Sequence, residues 1–253
     1  MEHSLLLFKP DSFSYPEIFQ ETKLILKEYN LEIVNKKEFV INKGQILGIW
    51  SKRCFDPFTY NVMVKAYEGK KFLLWEVKGN NAITVCLNIK KKIRTKYSLS
   101  FIKNSVHSPN NINEYKANMV AIYKTMTPIH PPLYYELTEV INKSKRVIEK
   151  DSFSKCIDFF VTAEDKIYKD LYKCSKKYEI ILDRDNIHWL TEYAVLLYNN
   201  MPELPLCTAY IYAMAVVEYE KVPIYRTDDI HSVDKMFSLL QASKLMMRIH
   251  EYD

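Results

Sequence analysis

No stretch of this chain is apolar for long enough to cross a bilayer, and no pair of cysteines is spaced to hold a metal. The longest apolar run, about Leu204 to Val217, is interrupted by tyrosines and falls short of the ~20 residues that a spanning helix needs. The five cysteines (Cys54, Cys86, Cys156, Cys174 and Cys207) are odd in number and include no CxxC pair. They read as thiols of a reducing compartment, not as a disulfide frame or a zinc site. His130, His188, His231 and His250 are too isolated to suggest a metal centre. Internal repeats and low-complexity tracts are missing too. Met1-Glu2-His3 runs straight into an apolar segment, leaving no room for a leader. These absences predict a cytoplasmic globular protein with no membrane association.

What is present suits one or two domains. The 253 residues are 48% hydrophobic and 26% charged, enough to bury a sizeable core without covalent staples. The net charge of +5 hides a division. Residues 1–127 carry 20 Lys and Arg against 11 Asp and Glu, a net +9, whereas residues 128–253 carry 16 against 20, a net −4. Such asymmetry predicts two domains and an anionic partner for the first, and nucleotide and RNA both fit. The segment Thr125 to Pro132 holds three prolines and marks the boundary, giving domains 1–127 and 128–253.

The first domain alternates strand and helix patterns. An apolar strand ends at Phe8, and Pro16 to Lys27 follows as an amphipathic helix. Leu31–Val40 is a strand. Asn42 and Gln45 stand at capping-box spacing before Ile46, Leu47, Ile49 and Trp50. A helix from Asp56-Pro57 to Tyr67, a strand at Lys71–Val77 and a short helix from about Asn81 come next. Tyr97, Leu99 and Phe101 alternate with Ser98, Ser100 and Ile102, which predicts a strand with one buried face. Asn110 or Asn111 then caps a helix to Lys124. The order β-α-β-(αα)-β-α-β-α predicts a ferredoxin-like split βαβ arrangement. Beyond residue 128 the pattern is helical: Leu133–Glu149, Ala163–Ile181 with Thr162 as N-cap, Asp185 or Asn186 through Tyr198, Glu203–Tyr219, and Ser232–Glu251. The class predicted for the whole chain is therefore α+β, a ferredoxin-like domain followed by an all-helical one. Asp183-Arg184-Asp185 and Asp228-Asp229 read as turns and caps, and Lys143 to Arg146 as a solvated helix face.

Three short segments carry chemistry. Leu5-Leu6-Leu7-Phe8 runs into Lys9-Pro10-Asp11, Ile93-Arg94 follows later, and Lys103-Asn104-Ser105-Val106-His107 closes the set. A histidine at a strand exit has the intrinsic pKa of a nucleophile or proton carrier near neutrality. In this order, with Phe72-Leu73-Leu74-Trp75-Glu76 before Gly79 between them, these segments resemble the nucleoside diphosphate kinase family over residues 1–125. The resemblance implies that His107 takes a γ-phosphoryl group from one nucleotide and returns it to another. It implies that Lys9 offers a point charge, Arg94 a planar donor fork and Asn104 a hydrogen bond to the nucleotide sugar or phosphate. Trp50 and Tyr60 are approximate counterparts of the family's base-stacking aromatics, and Mg²⁺ would be coordinated chiefly by the phosphates.

The departures from that pattern are specific. The family's glutamate that braces the histidine is replaced by Asn118, and its Gly-Ser after the histidine by Ser108-Pro109. An amide cannot supply a carboxylate's charge to a histidine becoming cationic. The segment from Gly79 to Ile93 is shorter than the family's, and Leu87 or Asn88 falls near the place of an arginine. Lys90-Lys91-Lys92 either restores positive charge or is a solvated or phosphate-contacting loop. Two functions remain open. One is a nucleotide-binding protein, catalytic through phospho-His107 if active. The other is a catalytically degenerate interaction protein whose basic half contacts RNA, a ribonucleoprotein such as the ribosome, or another large assembly, while its C-terminal helices grip a protein partner.

Overall fold

The computed structural model describes residues 1–54, 56–124, 142, 144–162, 171–173 and 175–252. The chain divides into two compact units, residues 1–55 with 59–131, and residues 56–58 with 132–253. In the first unit the uninterrupted run Leu5–Phe8 has no polar face, so it needs cover on both sides. It receives that cover as β1 (Glu2–Phe8), whose last five residues are all buried. β1 pairs antiparallel along its whole length with β3 (Lys71–Gly79), and at its end with β4 (Val106–His107). Among the described residues β2 (Glu32–Val40) pairs only with β3, and it is largely exposed. It is an edge strand whose Glu32, Lys36, Lys37 and Glu38 discourage pairing with another chain.

The sheet order β2-β3-β1-β4 interlocks two split βαβ units, which is the ferredoxin-like arrangement that the pattern predicts. The crossover helices are α1 (Glu17–Glu28) and α5 (Ala82–Tyr97). They bury Ile18, Leu26, Val85, Cys86, Ile89 and Ile93 against Leu6, Phe8, Trp75 and Val77 of the sheet, each such aliphatic contributing ~2 kcal/mol. Between β2 and β3 lie α2 (Lys43–Ile49), α3 (Ser51–Cys54) and α4 (Pro57–Tyr67). Asn42 and Gln45 form the expected capping box at the start of α2. After β4, Asn111 caps α6 (Ile112–Tyr123) by accepting from Glu114 N at 2.9 Å. Gln45 Nε2 donates to Ile122 O, which ties α2 to α6.

One strand expected from the sequence is absent. Tyr97 ends α5, and residues 98–105 form a loop before the two-residue β4. The helical spacing of Cys86, Ile89, Ile93 and Tyr97 outweighs the short alternation that follows. Tyr97 accordingly packs toward α1, with its ring 5.6 Å from that of Tyr15 and its hydroxyl donating to Glu21 Oε1 at 2.7 Å. The helix from Asn81 is therefore long, and Arg94 sits in its last turn instead of ahead of a strand.

The second unit is not all helical. Helices α7 (Lys150–Thr162), α8 (Leu190–Asn200), α9 (Leu206–Tyr219) and α10 (Ile230–Gln241) accompany a three-stranded antiparallel sheet. That sheet has β5 (Tyr178–Asp183) between β6 (Lys221–Thr227) and β7 (Met247–Glu251). The helix expected over Ala163–Ile181 thus gives way to a strand at its end, and the one expected over Ser232–Glu251 stops ten residues early. Most of Leu133–Glu149 and residues 163–170 lie outside the described residues. Thr162 is the last residue of α7, its hydroxyl donating back to Asp158 O. Arg146 is no solvated helix face. Its Nη1 donates to the carbonyls of Tyr198, Met201 and Leu204, and its guanidinium lies 3.7 Å over the Tyr198 ring, capping the end of α8. Asp229 caps α10, and Asp185 turns the chain by accepting from Ile187 N and His188 N. The core of this unit is aromatic: Phe58 stacks on Tyr210 at 3.7 Å, with Phe153 and Phe160 edge-on to it.

Candidate functional site

Lys9 leaves β1 directly after Phe8, and its backbone N donates to Ser105 O at 2.8 Å. Pro10 starts the 3-10 turn Pro10–Ser14, where its missing N–H costs nothing. Asp11 then reaches back. Its Oδ2 accepts from Ser105 N at 2.6 Å and Ser105 Oγ at 3.0 Å, holding Ser105 at a φ of +58°. The Lys9 side chain, only 3% exposed, donates to Asn104 Oδ1 (2.6 Å), Tyr67 Oη (3.0 Å) and Ile102 O (3.3 Å). The Trp50 and Tyr67 rings face its ammonium with centroids at 5.5 and 5.1 Å, a desolvated cation–π setting. Asn104 is fixed in turn by Nδ2 donating to Phe101 O at 2.7 Å.

His107 lies opposite Leu7 in the ladder and is 5% exposed. The ring's Nε2 is 2.8 Å from Asn118 Oδ1. Asn118 Nδ2 donates to Ile49 O at 2.9 Å, so the amide presents its oxygen to the ring, and Nε2 carries the proton. Among the described residues, Nδ1 has no hydrogen-bond partner. Trp50 packs edge-on to the imidazole with centroids 5.4 Å apart. Burial holds the His107 pKa well below its ordinary value. The Asn118 hydrogen bond opposes this, and Lys90, Arg94 and Lys9 add to it through their charges. The ring is therefore neutral at physiological pH, with one lone pair uncommitted.

Arg94 and Lys90 reach the site from α5. Arg94 Nε donates to Val106 O at 3.0 Å. Lys90, largely buried, donates to Ser108 O at 3.0 Å and Asn110 Oδ1 at 2.9 Å. Asn104, Lys9, Trp50 and His107 thus follow one another in a chain of contacts, and Arg94 acts on the same ring through its field. Tyr60 stands apart. It is half-buried on α4, its phenol pushed up by desolvation and then by Cys54 and Glu68, with no described contact to the other five. Trp50 is buried between Tyr67, Phe72 and His107, which denies a base a face to stack on.

Sequence inspection missed Tyr67 and left Lys90 undecided. Tyr67 ends α4 with no local pattern to mark it. Lys90 did carry a signal, a charge inside the apolar stripe Cys86, Ile89, Ile93, where a lysine must find buried acceptors. Among the described residues no group of three or more His, Cys, Asp or Glu is arranged to hold a metal, and no helix is long and apolar enough to cross a membrane.

No protein-family model and no curated protein matches this sequence. Among solved structures, the Aquifex aeolicus nucleoside diphosphate kinase is 16% identical, with 49% of this chain and 96% of that chain covered and a TM-score of 0.42. The nucleoside diphosphate kinase of Encephalitozoon cuniculi is 18% identical, over 48% of this chain and 88% of that one, with a TM-score of 0.42. A nucleoside diphosphate kinase family protein from Babesia bovis is 14% identical, over 49% and 89%, with a TM-score of 0.38. The matched half is the N-terminal region. At these identities the likeness is one of fold.

Proposed function

We propose that the first unit binds nucleotide phosphates beside Lys9, Arg94 and Asn104 and passes a γ-phosphoryl group between nucleotides through His107. The observation that carries this reading is the imidazole itself, neutral, with its proton pinned on Nε2 and its Nδ1 uncommitted amid three cations. The Nδ1 lone pair attacks the γ-phosphorus, the N–P bond forms, and the bond to the bridging oxygen breaks with its electron pair leaving on the nucleoside diphosphate. A second diphosphate oxygen then attacks phosphorus, and the N–P electron pair returns to Nδ1. Lys9 and Arg94 stabilise the charge that develops on the phosphoryl oxygens. The described residues offer no acidic cage, so Mg²⁺ would enter with the nucleotide's phosphates and neutralise part of their charge.

A second reading is favoured by a specific observation. The Lys9 ammonium already has three acceptors and the ring is 5% exposed, as in a site kept for structure. The basic residues 1–127 would then contact RNA or a ribonucleoprotein, and the helices of the second unit a protein partner. Incubation with γ-labelled ATP separates the two. Acid-labile label on the wild type and none on His107→Ala supports transfer. No label, together with RNA binding that weakens steeply with salt, supports the scaffold.

A further inference from the structure

We propose that Glu114, one helical turn before Asn118, supplies the negative charge that steadies His107 when the ring becomes cationic. This rests on the reading of His107 as phosphoryl acceptor. Residues 114 and 118 share a face of α6, and Glu114 Oε1 lies 3.9 Å from His107 Nε2. The carboxylate is held in place by its other oxygen. Oε2 accepts from Asn110 N and from Asn110 Nδ2, both at 2.9 Å, while Asn110 Oδ1 accepts from Lys90 at 2.9 Å. One oxygen is thus anchored and the other faces the ring.

The charges around the imidazole set the problem that this arrangement answers. Lys9 at the end of β1 and Lys90 and Arg94 on α5 are all positive, and Trp50 meets the imidazole as an uncharged ring in a T-shaped contact. In the resting site the ring is neutral and the 3.9 Å contact is no ion pair. When Nδ1 gives its lone pair to phosphorus, the ring gains a formal positive charge while Nε2 keeps its proton. Asn118 then offers a dipole, and Glu114 a full charge. Glu114 is a positioning residue in this scheme, since it acts through His107 and touches no substrate. Its bonds to Asn110 also fix the turn ahead of Asn111, the N-cap of α6, so a purely structural role is the competing account.

Glu114→Gln separates the two, because the amide oxygen still accepts from Asn110 while the charge is gone. Phosphoramidate, a small phosphoryl donor, is the probe on the full chain, with γ-labelled ATP run in parallel. Phosphoramidate labelling of His107 should slow about tenfold in Glu114→Gln with unchanged melting, and adding Asn118→Glu should restore it. A residue that only braces the Asn110 turn would not be rescued from position 118. Equal labelling of wild type and Glu114→Gln overturns the proposal, as does failure of phosphoramidate to label the wild type. Labelling by phosphoramidate but not by ATP would sink nucleotide transfer and leave the role of Glu114 decided by the variant.

Discussion

Burial keeps the His107 imidazole neutral, and that links the stability of the first unit to pH. Its folded-state pKa lies below the unfolded value of 6.5. As pH falls below 6.5 the unfolded chain takes up a proton that the folded chain refuses. Stability is therefore complete above that value and declines below it, by at most ~1.4 kcal/mol per pH unit from this residue. Urea midpoints should drop between neutral and mildly acidic buffer, and His107→Gln should flatten that drop. An identical slope in the variant would refute the assignment. Lys9→Met should cost ~2 kcal/mol, because Asn104 Oδ1 and Tyr67 Oη lose a buried donor; denaturant melts read it directly. Lys9, Asn104 and His107 were legible because each stands in a contiguous motif beside the chain's own turn. Tyr67 was not, since its partnership with Lys9 spans 58 positions and leaves no trace in either local pattern.

Elements were legible where one period runs long and illegible where two compete. The sixteen-residue α5 absorbed Tyr97 because its stripe had already been set by Cys86, Ile89 and Ile93. In the second unit, Pro223 lies inside β6. The β5–β6 register shifts there, between Ile180 and Ile181, and a bulge tolerates a residue without an N–H. β5 is only six residues long, too short to outvote the helical pattern around it. The end of β3 is specified by geometry that the sequence does reveal, a glycine. Gly79 has a φ of +156°, and a Cβ there would collide with Leu31 Cδ2 and crowd Asn30 O. Gly79→Ala is expected to destabilise the first unit by ~2 kcal/mol or more, as a lowered midpoint in chemical denaturation. A neutral effect would mean that the β3 terminus relaxes freely.

Over the whole chain, each unit has its own core, one built on a sheet flanked by α1 and α5 and the other on stacked aromatics around Phe58. Calorimetry should resolve two heat-absorption transitions. Arg146→Ala, which uncaps α8, should lower the one that Gly79→Ala leaves in place. A single transition shifted by both variants would contradict this. The charge of the chain divides at residue 127, whereas the pairing of distant strands within each unit lay beyond local pattern. That pairing has a consequence for how the molecule is made. Leu7 meets His107 across the β1–β4 ladder, so Lys9 and His107 are brought to one site by closing almost the entire unit into one loop. Such long-range closure comes late, after shorter-range contacts have formed. A chain released during synthesis just before position 107 would own three of its four strands together with Lys9, Lys90 and Arg94, yet lack the imidazole that those cations surround.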